Sequence, residues 1–402
     1  MKFIRTLITL IMPLLLIALA AGAVSATTET PSLPATLDNV RAYAAAPQAG
    51  GLSYANAGGV LIAGSENVWH TVNFPQTAIA SGIAIDPQQP QTLYVGVANE
   101  TSLMRTTDGG ETWLRIPLST DYDGAVTTVA VDSAQRIVYA GTDHGSLYRL
   151  HDVGSSMILA GKQNFSEPIE QLAVDAAGSQ LAFVRTTTQL YQAVDNGLNW
   201  ESVKLLSMPT ALAIANTTPA TVYVGTMDKG VLMTNDGVLW LRANEGFEMG
   251  PGVRLKVDAL TVDPAEPNRL YVAASYLFGN TEVHQSPVGI AMSQDSATSW
   301  QMINNVTEIA ATELLPVSGK VAGVYALFSN SRTPFALGEA QPLVAIDTST
   351  GGPSWSQIFA TGALWQWLLA LTVVIAMGVA LTIRQNSRAH SLLTSIATFR
   401  RK

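Results

Sequence analysis

The sequence predicts an all-β chain of repeated, strand-rich units followed by one membrane-spanning helix. Three observations predict it. An anchor residue recurs at Trp69, Trp113, Met157, Trp200, Trp240, Trp300 and Trp355, at spacings of 44, 44, 43, 40, 60 and 55 residues. Short β-rich runs broken by Pro, Gly, Asn and Asp precede the anchors, the pattern of small antiparallel strands. An apolar run then fills residues 364–383.

Composition narrows the function classes. The chain has 402 residues, 48% hydrophobic, and no Cys. So much apolar material excludes disorder over most of the chain. The missing cysteines exclude a disulfide scaffold, a thiol nucleophile and Cys-based metal sites. Net charge is −8, but all 30 acidic residues lie within 27–361, with 15 of the 22 basic ones. An acidic body repels a phosphate backbone, which argues against nucleic-acid binding.

Taken in order, residues 1–26 read as a signal peptide. Lys2 and Arg5 precede an apolar stretch ending in Val24-Ser25-Ala26, which fits a secretory cleavage site, an uncleaved anchor being the alternative. Residues 27–37, rich in Thr and Pro, read as an exposed linker.

The repeats occupy 38–360. Thr106-Thr107-Asp108-Gly109-Gly110-Glu111-Thr112-Trp113 fits Ser/Thr-x-Asp-x-Gly-x-Thr-Trp. Looser copies carry Asp195, Gly197 and Trp200; Asp295 and Trp300; Asp152 with Met157; Asp236 with Trp240; and Trp355 without the Asp. Gly64 to Trp69 is the most degraded copy. The pattern resembles the Asp-box, or BNR, repeat of β-propellers, a superfamily that includes sialidases, xyloglucanases, sortilin-type receptors and photosystem II assembly factors. The resemblance implies a seven-bladed β-propeller, with six or eight blades as fallbacks. It also implies that the box is a turn between the third and fourth strands of a blade. The Asp would accept backbone N–H bonds, Gly would supply the backbone angle, and Trp would pack between blades. These aspartates therefore read as structural, not as acids or metal ligands.

Two blades exceed the usual length. The extra residues are placed in strand 2–3 loops at about 274–287 and 328–341, with third strands at Gly289-Ile290-Ala291 and Leu343-Val344-Ala345. Those loops and the 242–256 connection carry Phe247, Arg254, Tyr276, Phe278, His284, Phe328, Arg332 and Phe335. Aromatic and Arg side chains are enriched at contact hot spots, so this set is the candidate protein- or glycan-binding surface; packing of the loops onto the ring is the alternative. No catalytic residue, metal ligand or cofactor is nominated. A sialidase needs three converging arginines, and the arginines here do not map onto that triad. A xyloglucanase-like site needs two facing carboxylates, for which Asp121, Asp123 and Asp143 are the candidates. This cell-surface glycosidase is the alternative to a binding or scaffold module.

Residues 364–383 span about 30 Å as a helix, the thickness of the hydrocarbon core. Trp365 and Trp367 sit at one edge, and Arg384 and Arg388 close the other, the aromatic and positive-inside signals. Residues 384–402 form a basic tail. The expected address is the plasma membrane, single-pass, with the propeller outside and the tail in the cytoplasm. If Trp355 starts the last strand, the stalk is short and the long loops look toward the bilayer. Sequons begin at Asn99, Asn164, Asn216 and Asn305; nothing in the sequence fixes the oligomeric state.

Overall fold

The computed structural model describes residues 37–48, 51–65, 68–279, 281–304, 309–317 and 323–338. The predicted signal peptide, nearly all of the linker, Trp355, the apolar run 364–383 and the tail lie outside the described residues. No helix among the described residues is long and apolar enough to cross a membrane.

Seven antiparallel sheets follow one another along the chain, each pairing its strands in sequence order. Blade one runs from Val40 to Thr71, blade two from Ala80 to Pro117 and blade three from Val126 to Asn164. Blades four, five and six cover Ile169–Ser202, Pro209–Arg242 and Arg254–Asn304. Blade seven covers Ala311–Gly338, with three strands among the described residues, whereas each of the others has four. The fold is an all-β, seven-bladed propeller.

The apolar residues explain why the sheets stand in a ring. Buried residues fall into seven clusters, each shared by two adjacent blades. One sheet cannot cover both of its apolar faces, so neighbours supply the missing layer. The closing seam unites Val40, Ala55 and Ile62 of blade one with Leu315, Tyr325 and Leu327 of blade seven. The Tyr43 hydroxyl donates to the Pro316 carbonyl at 2.8 Å across that seam. Leu37, expected in the linker, is 3% exposed and belongs to this cluster. Its apolar side chain finds cover there, so the ring starts one residue early.

A Tyr recurs in the second strand of each blade, at Tyr54, Tyr94, Tyr139, Tyr223, Tyr271 and Tyr325, with Phe183 in blade four; all are at most 3% exposed. Several reach the third-to-fourth-strand turn of the next blade. Tyr54 donates to the Gly109 carbonyl at 3.3 Å, Tyr94 to Asp152 Oδ2 at 2.5 Å, and Tyr223 to the Ser296 carbonyl at 3.2 Å. In blade four, Gly197 has φ +76°, and a Cβ there would lie 1.9 Å from the Tyr139 hydroxyl. Only glycine combines that backbone with that contact.

The innermost, first strand of every blade carries a register irregularity. It falls at Arg41, Ser81, Thr127, Glu170, Thr210, Asp258 and Thr312. A bulge unpairs a backbone group, and in four blades a side chain of the preceding blade caps the carbonyl just before it. Ser81 donates to Val126 at 2.8 Å, Thr210 to Val257 at 2.7 Å, and Arg332 to Val40 at 2.9 Å. Asn56 donates likewise to Ala80.

Two expected loops are strands. In blade six, Leu270–Phe278 pairs with His284–Ser293 up to the Phe278–His284 pair. The surplus residues of 274–287 thus lengthen a hairpin, and the first strand, Arg254–Val262, lengthens beside it. In blade seven, Gly323–Phe328 turns tightly into Ser331–Gly338. The third strand therefore begins a dozen residues before Leu343, and most of 328–341 is not a loop.

Candidate functional site

The two faces of the ring differ. One carries the strand 1–2 and strand 3–4 turns. There, Asp108 accepts the Thr112 N–H at 3.0 Å and the Thr106 hydroxyl at 2.6 Å. Asp236 accepts the N–H groups of Val238 and Leu239 at 2.8 and 3.0 Å, and Asp295 that of Ser299 at 2.9 Å. These side-chain and backbone hydrogen bonds hold all three carboxyls below the usual carboxylate range. Asp195 accepts from Asn199 Nδ2 at 3.0 Å. Asp152 is buried and ion-paired with Arg105 Nε at 2.9 Å. Every one of these groups is committed to its turn or seam.

The anchor rings lie in the seams. Trp113 packs edge-on against Phe74 at 5.0 Å, Trp200 against Tyr139 at 5.8 Å and Trp240 against Phe183 at 6.1 Å. Trp300 donates from Nε1 to the Ala243 carbonyl at 2.8 Å.

The other face carries the strand 2–3 and 4–1 connections and one mouth of the axial channel. The channel holds about 800 Å³ and is lined by the first strands. Its charged lining is Arg41, Glu170, Arg185, Asp258, Glu313 and Arg332. Arg185 donates from Nε to Gln171 Oε1 at 2.8 Å, and burial lowers its pKa. Burial pushes the Glu313 carboxyl up, with Arg332 opposing the shift. Asp258 is paired with Lys256 at 2.8 Å.

Blade six rises beside this mouth as a three-stranded flap. Lys256 and Asp258 on its first strand, Ser275 on its second and Gln285 on its third form one polar network. Lys256 Nζ donates to Gln285 Oε1 at 3.3 Å, Gln285 Nε2 to Ser275 Oγ at 3.1 Å, and the Ser275 hydroxyl to Asp258. Cross-strand links of this kind stiffen a hairpin.

The nominated residues divide accordingly. Phe278 and His284 stack at the flap tip, centroids 5.6 Å apart, with Phe278 exposed. Arg254 Nη2 donates to the Gly279 carbonyl at 3.1 Å and braces that tip. Tyr276 packs half-buried against the blade five–six seam, and burial raises its pKa. Phe247 is buried against Trp300. It floors an outer groove of about 790 Å³ with Met233, Leu241 and Met249 at its walls. Phe328 sits against the blade six–seven core. Arg332 lines the channel. Phe335 is exposed on the last described strand of blade seven, 6.4 Å from Phe328. The structure thus brings Arg254, Tyr276, Phe278 and His284 together on the flap and places the rest elsewhere.

Two of the three carboxylate candidates, Asp123 and Asp143, are engaged. Asp123 accepts from the Tyr148 hydroxyl and pairs with Lys162 at 2.8 Å. Despite desolvation, these partners bring its pKa down to about 2. Asp143 Oδ1 accepts the Ala125 N–H at 2.8 Å. Among the described residues no cluster of His, Asp and Glu is arranged to hold a metal ion.

Sequence reasoning missed the channel ring. The signal existed: the bulged residue precedes the second-strand Tyr or Phe by 13 positions in six blades and by 12 in blade three. Only the paired register shows that this position faces the axis.

No known protein-family profile and no curated protein matches the chain. Solved structures do. A GH74 xyloglucanase from Xanthomonas campestris superimposes with a TM-score of 0.53 at 17% identity, over 80% of this chain and 54% of that one. YCF48 bound to a D1 peptide matches with a TM-score of 0.52 at 13% identity, over 77% of this chain and 96% of that one. YCF48 from Cyanidioschyzon merolae gives 0.53 at 12%, over 76% and 97%. What these share with the chain is the propeller. The matched region spans about half of the GH74 enzyme and nearly all of YCF48.

Proposed function

We propose that this chain is a non-enzymatic, membrane-anchored propeller that binds a protein partner across the face carrying the blade six flap and the channel mouth. In this reading the turns are Asp-box repeats, 1–26 is a signal peptide and 364–383 is the single span, which would put the ring outside the cytoplasm. The observation that carries the binding function is the flap. Phe278 stacks on His284 at the end of a hairpin braced by Arg254 and by the Lys256–Gln285–Ser275–Asp258 network. An exposed aromatic pair on a stiff support orders little on contact, which favours binding. Asp123, held ionised by Lys162, is unsuited to donate a proton as a glycosidase acid must. The peptide complex of YCF48, a propeller matched over nearly its whole length, makes a polypeptide the favoured class of partner over a glycan.

The test places a photo-crosslinking amino acid at Phe278 in the full-length chain on intact cells, with the same probe at Leu239, exposed in a strand 3–4 turn on the opposite face, as the control. A protein adduct formed from position 278 and absent from 239 is expected. Xyloglucan hydrolysis by the purified full-length chain, abolished by Asp121→Asn or Asp123→Asn, would replace this reading with the glycosidase.

A further inference from the structure

Among the described residues only three aromatic side chains are exposed, Tyr122 at 57%, Phe278 at 42% and Phe335 at 53%. Two of them rest on a histidine. Phe278 stacks on His284 at the flap tip, and Tyr122 meets His144 edge-on, centroids 5.7 Å apart. Tyr122 belongs to the 118–125 connection from blade two to blade three, and His144 to the strand 2–3 turn of blade three. Both segments open on the flap's face. In a seven-membered ring the joint between blades two and three stands across the axis from blade six, with three blades between them on either side. The two aromatic–histidine pairs therefore flank the channel mouth from opposite rims.

The second pair is braced as the first is. The Tyr122 hydroxyl donates to the Ala98 carbonyl at 3.3 Å. Buried Thr101 accepts the Asp123 N–H at 2.7 Å and donates to the Gly124 carbonyl at 2.9 Å. Beside His144, Asp143 Oδ1 takes the Ala125 N–H at 2.8 Å. A Cβ on Gly124 would lie 2.5 Å from that same oxygen, so the connection lies flush against the turn. A ring on such a support loses little freedom on contact. Charge marks this rim as well. Glu100 and Asp123 are paired with Arg115 and Lys162, whereas exposed Asp121 and Asp143 have no ion pair among the described residues.

We propose that Tyr122 and His144 form the second contact of the polypeptide that the flap binds. One partner then lies across the channel mouth and sets a Lys or Arg side chain against Tyr122, Asp121 and Asp143. The proposal rests on the binding reading and adds to it a span and a charge. A cation is attracted to the face of an exposed tyrosine ring, and the two carboxylates complement it. Two contacts on one rigid disc also act together, because the first raises the effective concentration for the second. The partner must therefore be long enough to cross the mouth.

In the full-length chain on intact cells, the photo-crosslinking amino acid at position 122 is expected to capture the same protein as at position 278. With the probe at 278, Tyr122→Ala should cut the yield by about fivefold or more, the loss that marks an anchoring side chain. Tyr122→Phe, which keeps the ring, should preserve the yield. Asp121→Lys should lower the yield from both probes. Capture from 278 with none from 122 would overturn this proposal and leave the flap's role standing. So would capture at 122 of a different protein or of a second copy of this chain. No capture from 278 would remove the binding reading, and this proposal with it. If Tyr122→Ala and Tyr122→Phe lower the yield alike, Tyr122 serves its own loop and the second contact is refuted. A yield unchanged by Asp121→Lys would refute the basic partner.

Discussion

Replacing Asp152 with Ala tests whether the seams, not the individual sheets, hold the ring. Asp152 is 5% exposed, and its carboxylate accepts from the Tyr94 hydroxyl and the Gly154 N–H while pairing with Arg105, itself 8% exposed. Truncation would leave the Arg105 charge buried with only its bond from Nη1 to the Gly154 carbonyl. Breaking a buried pair from one side costs about 3–5 kcal/mol. For a domain of this size, about 2–3 °C is lost per kcal/mol, so the melting temperature should fall by about 6–15 °C. Thermal and urea unfolding of wild type, Asp152→Ala, Arg105→Met and the double variant form the cycle. Because the double variant leaves no orphaned charge, it should recover much of the loss. A loss below about 1 kcal/mol for Asp152→Ala, or a double variant as weak as the sum of the singles, would refute the seam argument.

Burial raises the pKa values of Tyr54, Tyr94, Tyr139, Tyr223 and Tyr325. Their stabilising effect is complete below the unfolded tyrosine pKa of about 10 and is lost above it, at up to about 1.4 kcal/mol per pH unit each. Urea midpoints should therefore drop steeply from pH 10 to 11, and flat midpoints would contradict the tyrosine ring. Glu313, raised by burial, favours folding only below the ordinary carboxyl pKa and opposes it above. Glu313→Gln should accordingly raise the melting temperature at pH 7 and leave it unchanged at pH 4. Gly197→Ala combines a φ of +76° with a collision on Tyr139, and calorimetry should show a loss of about 2–4 kcal/mol. Ser81→Ala uncaps the Val126 carbonyl, and a loss of about 1–3 kcal/mol in chemical unfolding is expected.

The ring was legible because its period is written in large, rare residues. Trp113, Trp200, Trp240 and Trp300 each mark a seam, and the residues between them read as short strands. Blade seven was not legible. Its third strand, Ser331-Arg-Thr-Pro-Phe-Ala-Leu-Gly, contains a proline and opens on polar residues, so locally it reads as a loop. Pairing with Gly323–Phe328 overrides that preference. The flap was half-legible. Aromatic side chains at 276, 278 and 284 marked the region, but whether surplus residues loop out or extend a hairpin depends on register. Lys256, Ser275, Asp258 and Gln285 come together only once that register is set. Phe247 and Phe328 were nominated for their type, yet both serve packing, because an aromatic ring beside an unfilled seam buries itself first.

The capping of bulged carbonyls gives the disc a sense of rotation. Asn56 serves the second sheet, Ser81 the third, Thr210 the sixth, and Arg332 serves the first, always one step onward. Damage at such a side chain therefore injures its successor, leaving its own sheet intact. Removing an entire wedge would set a donor from one neighbour against a carbonyl it never evolved to meet, and a newly opened end would have to find its match on the far side. Excision of one repeat should consequently cost more than its share of buried area, whereas cutting and rejoining the chain at another junction would preserve every handover.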